Sequence, residues 1–235
     1  MNWQDEVDEL HQRRQLAEAM GGADKVARQH ARGKLDARAR LTALVDPGSF
    51  REIGKIAGKG RYGPEGELTD LAPSNFLFGR GNIEGRPVVA SADDFTVRGG
   101  AADASIHRKF TQCEAMAHSL KIPLIRMIDG TGGGGSVRML EDMGFTYVPA
   151  VPGWDGVIRN LDTVPVVALA LGPTAGLGAA RVVASHYSVM VKGLSQLFAA
   201  GPAVVEDPGT TVVVHPGNRV SIDGFGNIHI HLGEA

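Results

Sequence analysis

A single cysteine, Cys113, stands among 235 residues, so no disulfide can form within the chain. That scarcity fits a reducing compartment, and a cytoplasmic protein is the expectation. Charge of one sign is also lacking: 24 basic residues against 26 acidic ones leave a formal net charge of −2. Without a basic field there is little to attract nucleic acid, which is not expected as a partner. No apolar run reaches the roughly 18 residues of a membrane span. The opening Met1-Asn2-Trp3-Gln4-Asp5-Glu6 is too polar and acidic for a signal peptide. No membrane association is expected.

The common catalytic signatures are missing as well. Gly130 to Ser136 lacks the Gly-Lys-Ser/Thr ending of a phosphate-binding P-loop. Gly172 to Gly178 is interrupted by Pro173 and is not followed by the acidic residue a dinucleotide site requires. There is no serine-centred nucleophile elbow and no histidine–carboxylate pair at motif spacing. His229 and His231 share one side of a candidate strand, but a zinc site needs three or four ligands and no third is evident in the tail, so no metal is expected.

What the chain does have is an apolar share of 43%, enough for a real core, and 32 glycines gathered in turns. One pattern occurs twice. Pro123 to Asp129 is an apolar run leading into Gly130-Thr131-Gly132-Gly133-Gly134-Gly135-Ser136; Val164 to Leu171 leads into Gly172-Pro173-Thr174-Ala175-Gly176-Leu177-Gly178. Each reads as a buried strand, a glycine turn and a helix. Glycine costs backbone entropy, so four in a row imply a close approach to the backbone or a loose segment. Two amides, one from each turn, would suit a developing oxyanion, because amides at a helix start are fixed donors with a favourable dipole. That would also suit a protein without an acid–base set. The plain alternative is that each turn is only a connection, or a flexible loop in the case of the four glycines.

The chain before these units reads as two regions. Residues 3–44 look helical and amphipathic, with Trp3, Val7, Leu10 and Ala17 near helical spacing. Gly21-Gly22 breaks the first helix, Asp24 or a neighbour caps a second that Gly33 ends, and Asp36 caps a third over Ala37 to Val45. Arg28, Arg32, Lys34, Arg38 and Arg40 offer charge to an anionic ligand, but such runs usually face water, and a solvated face is the expectation. Phe50 to Ile53 is a candidate strand, residues 58–75 look like a loop, and Phe76 to Ile83 with Arg86 to Ala92 reads as a hairpin turning at Glu84-Gly85. Asp103 to Leu120 returns to helical spacing, with Cys113 as a buried member of its apolar stripe.

Within the repeated units, helices are expected at Val137 to Met143, Gly153 to Leu161 and Leu177 to His186, with a strand at Tyr187 to Val191. Alternating strands and helices argue for an α/β domain with crossover connections. Beyond it, Thr210 to Val214, Arg219 to Ile222 and Ile228 to Leu232 read as a β meander.

Four stretches carry a resemblance to a known family. Gly33-Lys34-Leu35-Asp36-Ala37-Arg38-Ala39-Arg40-Leu41 with Asp46-Pro47-Gly48-Ser49-Phe50 is the first, and Asp94-Phe95-Thr96-Val97-Arg98-Gly99-Gly100 the second. The third is Asp129 to Gly133; the fourth is Gly172-Pro173-Thr174-Ala175-Gly176 with Met190-Val191-Lys192, Leu197-Phe198 and Gly201-Pro202. Over residues 25–205 the chain resembles the carboxyltransferase β subunit of biotin-dependent acyl-CoA carboxylases of the propionyl-CoA carboxylase type. The resemblance implies a crotonase-like spiral of β-β-α units with N-terminal helices and a C-terminal β meander. It divides the chain into a helical segment 1–50, an acyl-CoA-binding domain 51–205 and a β-rich tail 206–235.

The resemblance further implies a thioester carbonyl held between backbone amides. Gly132 or Gly133 would supply one, and Ala175, Gly176 or Leu177 the other. Gly132, Gly133, Gly176 and Leu177 are then the catalytic positions, and Arg98, Gly99, Gly100 and Ala175 contact substrate. Carboxybiotin on a partner carrier would be the cofactor, and CoA would enter as part of the substrate. Implied partners are biotin carboxylase and biotin carrier subunits, further copies of the chain, and a chain supplying the second carboxyltransferase domain. Two departures stand out: Gly134-Gly135-Ser136-Val137 replaces the family's Ala-Arg-Ile-Gln, and Asp129 lies one residue further from the glycine pair. Rival expectations are a non-catalytic assembly subunit and a biotin-independent decarboxylase or hydrolase of acyl-CoA.

Overall fold

The computed structural model describes residues 3–101, 107–130 and 153–198, and beyond them four short strands. Three helices open the chain: α1 (Gln4–Glu18), α2 (Ala23–Ala31) and α3 (Ala37–Leu44). Asp36 caps α3 as expected, accepting a hydrogen bond from the Ala39 N–H at 2.9 Å. Gly22, not Asp24, occupies the cap position of α2. The apolar stripe of α1 stays outside the core: Trp3, Val7 and Leu10 are exposed and only Ala17 is buried.

Polar contacts hold α1 instead, and they run to a hairpin that the sequence reading leaves as loop. After a short strand β1 (Arg51–Glu52), strands β2 (Gly58–Tyr62) and β3 (Leu68–Pro73) pair antiparallel. Gln12 Nε2 donates to the Leu68 carbonyl oxygen at 2.9 Å, and the Tyr62 hydroxyl donates to Glu9 at 3.0 Å. The glycines and prolines here disguise a strand pattern whose inward members are the buried Leu68 and Leu71.

Among the described residues the main sheet has seven strands. Strands β4 (Phe76–Ile83) and β5 (Arg86–Asp93) form the expected hairpin, with Glu84 and Gly85 both at positive φ, as a two-residue turn of this kind requires. Strands β6 (Leu124–Gly130), β7 (Val166–Ala175) and β8 (Tyr187–Met190) follow in parallel, giving the order β1-β4-β5-β6-β7-β8, and β9 (Gln196–Phe198) pairs with the last residues of β7. The helices are α4 (His107–Leu120), α5 (Trp154–Thr163) and α6 (Leu177–Val183). The helix expected at Val137 to Met143 lies outside the described residues.

Alternation along the strands assigns each face a helical layer. Phe76, Phe78, Val89 and Leu124 pack with Cys113 and Ala117 of α4. Leu77, Ala90, Ala92 and Met127 face the other way and pack with Ala37 and Leu41 of α3. Cys113 is buried as predicted, and burial pushes its thiol up, which makes it unreactive. Arg126, the charge that interrupts the apolar run Leu124 to Ile128, is fully buried on the α4 side. Its Nε and Nη2 donate to Glu114 at 3.0 and 2.8 Å, Nη1 donates to the Ala184 carbonyl oxygen at 2.7 Å, and Asn160 Nδ2 completes the set on Glu114 at 2.8 Å. This network joins α4, β6, α5 and the end of α6.

The tail corrects the expected meander. Strands β10 (Val204–Asp207) and β11 (Thr210–Val213) form one hairpin; β12 (Arg219–Ile222) and β13 (Ile228–His231) form another. No helix among the described residues is long and apolar enough to cross a membrane.

Lys109 on α4 offers a test of this packing. It is buried, with its stem beside Gly54, and desolvation lowers its ammonium to about 8 while Glu52 partly opposes the effect. In the unfolded chain it titrates near ~10.4. Between these values the unfolded chain binds the proton and the folded one does not, so stability rises with pH across that window. Urea unfolding should show a gain on the order of 2 kcal/mol between about pH 8 and about pH 10 that Lys109→Met lacks. Identical profiles for the two proteins would show that Lys109 is not desolvated.

Candidate functional site

The two repeated units meet at the carboxyl edge of the sheet. β6 and β7 run parallel, and their register ends with Gly130 paired to Thr174. The chain that leaves Gly130 toward Gly132 and Gly133 therefore starts beside the second turn; those two glycines lie outside the described residues. The second turn is tighter than the sequence suggests. Gly172 to Ala175 remain in β7, and Gly176 alone makes the bend, at φ 55° and ψ −120°, before α6 begins at Leu177. Only glycine adopts this conformation without strain.

The donors at this bend are not equivalent. The Gly176 N–H donates to the Phe198 carbonyl oxygen at 2.9 Å and so belongs to the β9 pairing. Leu177 holds the first helical position, where a backbone N–H has no acceptor within its own helix. Gly178, one residue on, lets α6 lie against the sheet: a Cβ there would stand 2.9 Å from Thr174 Cγ2 and 3.3 Å from the Gly130 carbonyl oxygen.

A third segment closes on the same edge. Arg98, Gly99 and Gly100 form a tight turn in which all three residues have positive φ, at 52°, 64° and 69°. Gly100 lies directly on the end of β6. A Cβ at Gly100 would be 2.6 Å from the Asp129 carbonyl oxygen and 2.9 Å from Gly130 Cα. Arg98, Gly99 and Gly100 thus reach the same neighbourhood as Ala175, Gly176 and Leu177, although they come from a different part of the chain.

Beneath this edge lies a buried charge cluster. The carboxylate of Asp129 is fully buried; Lys34 Nζ reaches its two oxygens at 2.8 and 2.7 Å, Arg40 Nη2 donates at 2.7 Å and Gln29 Nε2 at 3.2 Å. Lys34 also sits 4.7 Å from the centre of the Phe95 ring. The solvated-face expectation therefore fails for Lys34 and Arg40, which are buried, and for Arg38, which bonds Glu52 at 2.7 Å. Gly172 leaves the room this cluster occupies, since a Cβ there would collide with Asp129 and Lys34. A second pair, Arg181 with Asp93 at 3.1 Å, ties α6 to β5. Burial pushes the Asp93 carboxyl up and Arg181 opposes that rise. A charge closing an apolar strand was the available signal for Asp129; nothing in sequence pointed to Lys34, Arg40 or Gln29 as its partners.

A mixed sheet with helices on both faces, N-terminal helices before it and a glycine bend where two parallel strands end resembles the crotonase-like carboxyltransferase fold. The comparisons agree: the model of the carboxyl transferase domain family matches residues 28–234, and the chain belongs to that family. It is 29% identical over 235 residues to the propionyl-CoA carboxylase carboxyltransferase subunit of Haloferax mediterranei, covering 98% of this chain and 42% of that one. It is 30% identical over 207 residues to the methylmalonyl-CoA decarboxylase subunit alpha of Veillonella parvula, covering 86% of this chain and 39% of that one. Among solved structures, transcarboxylase 12S, described as a hexamer assembly with methylmalonyl-CoA bound, superimposes with a TM-score of 0.66 and 31% identity over 86% of this chain and 38% of that one. The chain spans about two fifths of the length of the relatives it matches.

The backbone contact at Gly100 is open to measurement. Gly100→Ala meets both a left-handed φ and the Asp129 carbonyl oxygen, and should lower stability by about 2–4 kcal/mol. Gly99→Ala shares the φ but meets nothing within 4 Å, and should cost only about 1–2 kcal/mol. Equal losses in urea unfolding would argue against the close approach.

Proposed function

We propose that this chain is the acyl-CoA-binding half of a biotin-dependent acyl-CoA carboxyltransferase, with the thioester oxygen held by backbone amides at the carboxyl edge of β6 and β7. The observation that carries this reading is the register of Gly130 beside Thr174, which sets the starts of both glycine turns side by side. Residues 51–205 form the binding unit, and the segment 1–50 builds its floor through Lys34 and Arg40. The tail 206–235 follows it.

Leu177 is the better donor in the second turn, because the Gly176 N–H already serves β9. Gly132 or Gly133 supplies the facing amide from the first turn. As the α-carbon loses its proton, negative charge moves onto the thioester oxygen, and amides fixed in advance stabilise it without reorganising. The enolate carbon then bonds to the carbon of CO2. Carboxybiotin on a carrier subunit supplies that CO2 and the base that takes the proton. Small side chains around the bend leave room for the thioester, and Arg98, Gly99, Gly100 and Ala175 line the approach. The biotin side belongs to a second carboxyltransferase half, from a partner chain. Biotin carboxylase, a biotin carrier and further copies of this chain complete the assembly. Running the same chemistry in the direction of decarboxylation is the second reading, favoured by the likeness to the Veillonella subunit.

The test is carboxyl transfer from carboxybiotin to propionyl-CoA, with and without a chain carrying the second half, alongside CoA binding by calorimetry. Absence of both transfer and binding would overturn the proposal; release of CO2 from methylmalonyl-CoA would select the second reading. Leu177→Pro isolates the amide, because proline suits the first helical position and removes only its N–H. It should lower transfer by about 100-fold or more while the protein stays folded, measured against Leu177→Ala, which keeps the amide.

A further inference from the structure

Arg181 and Asp93 form an ion pair whose geometry is poor for stability. Arg181 Nη1 donates to both oxygens of the Asp93 carboxylate, at 3.1 and 3.2 Å. One nitrogen thus serves both oxygens, where a guanidinium fork usually uses two. Nε and Nη2 are buried and find no hydrogen-bond partner among the described residues. The guanidinium carbon instead lies 5.4 Å from the centre of the Phe76 ring and 5.2 Å from that of Phe110. Asp93 is itself buried, and a desolvated pair with unsatisfied donors is often no more stable than apolar side chains of similar volume. What the pair does have is its place. Asp93 ends β5, and its carboxylate also accepts from the Asp129 backbone N–H on β6. Arg181 lies one helical turn beyond Leu177 on α6.

We propose that Asp93 is a positioning residue for the reaction, setting the separation of the two glycine turns by holding α6 through Arg181 and β6 through the Asp129 N–H. The reaction is that of the proposed function; the coupling of the turns rests on geometry alone. Gly130, where the first turn leaves β6, directly follows Asp129, and the Leu177 donor opens the helix that Arg181 ties down. One carboxylate therefore reaches both segments that carry the amides. Strand pairing does not fix their spacing by itself, because the β6–β7 register shifts between Ile128 and Gly130, where the turns begin. Phe76 of β4 and Phe110 of α4 confine the guanidinium, so Arg181 cannot swing freely to solvent. The spacing matters chemically. Amides act on an oxyanion at about 2.7–3.1 Å, and a misplacement of about 1 Å can cost about 100-fold in rate. Asp93 acts through Arg181 and Asp129 and touches no reacting atom.

The test removes both charges together, because losing one would leave the other buried and unpaired. Asp93→Asn combined with Arg181→Met should leave the urea midpoint of the full chain unchanged. In carboxyl transfer with a chain carrying the second half, kcat should fall by about tenfold or more while KM for propionyl-CoA stays the same. Hydrogen exchange gives a readout that needs no turnover. The Gly176 and Ala180 amides, bonded to the Phe198 and Gly176 carbonyl oxygens, should exchange at least about tenfold faster in the double variant. An unchanged kcat overturns the proposal, and so does a rise in KM alone, which would make the pair a binding contact. A midpoint lowered along with kcat would mark the pair as structural and overturn it as well. Unchanged exchange overturns it whether or not transfer is seen. No transfer by the unaltered chain in any assembly would remove the proposed function, and exchange alone would then decide whether Asp93 couples the turns.

Discussion

The buried carboxylate of Asp129 is the interaction on which the rest of this edge depends. A fully buried anion is costly unless it is paired and hydrogen-bonded. Here the pairing comes from Lys34, Arg40 and Gln29, all in the N-terminal segment, so the three opening helices are bound to the end of β6. Loss of one partner of such a pair typically costs about 3–5 kcal/mol, because the remaining charges stay buried. The cluster also explains an otherwise arbitrary residue: Gly172, in mid-strand, is the neighbour whose missing side chain leaves space for Asp129 and Lys34.

Above that cluster the close contacts are mainly between backbones. Gly100 on Asp129 and Gly130, and Gly178 on Thr174 and Gly130, bring three chain segments into contact at distances that exclude a Cβ. Such contacts leave amides and carbonyls as the groups presented at this edge, which suits the proposed reaction, whose charge develops on a thioester oxygen. Rigidity comes from the opposite side of the sheet. Arg126, Glu114 and Asn160 satisfy one another while fixing α4, α5 and the end of α6, and Arg181 holds α6 to Asp93. The helix that follows the bend at Gly176 is thereby anchored at its C-terminal end.

Much of the fold was legible because local signals were strong. The β4–β5 hairpin announced itself through Glu84-Gly85 between two apolar runs, and Asp36 through its place before a helical pattern. The misreadings have physical causes. The β2–β3 hairpin is rich in glycine and proline and acquires its pattern only when Leu68 and Leu71 turn inward. Gly172 and Pro173 look like a turn, yet β7 carries them because β6 and β9 pair on either side. The charges of the second and third helices look alike in sequence. Arg28 and Arg32 face outward while Lys34 and Arg40 are buried, and the difference is set by a carboxylate about 90 residues away along the chain.

By itself the sequence determined the class of fold, the two strand–glycine units and the family, because periodicity, turn residues and four characteristic stretches are local properties. Tertiary structure alone decided which amide of the second turn is already spent on β9, and that Gly99 and Gly100 join the edge from another part of the chain. It also decided which basic residues are buried and which stay exposed. Those outcomes depend on strand register and on packing between distant segments, and neither is written in the spacing of neighbouring residues.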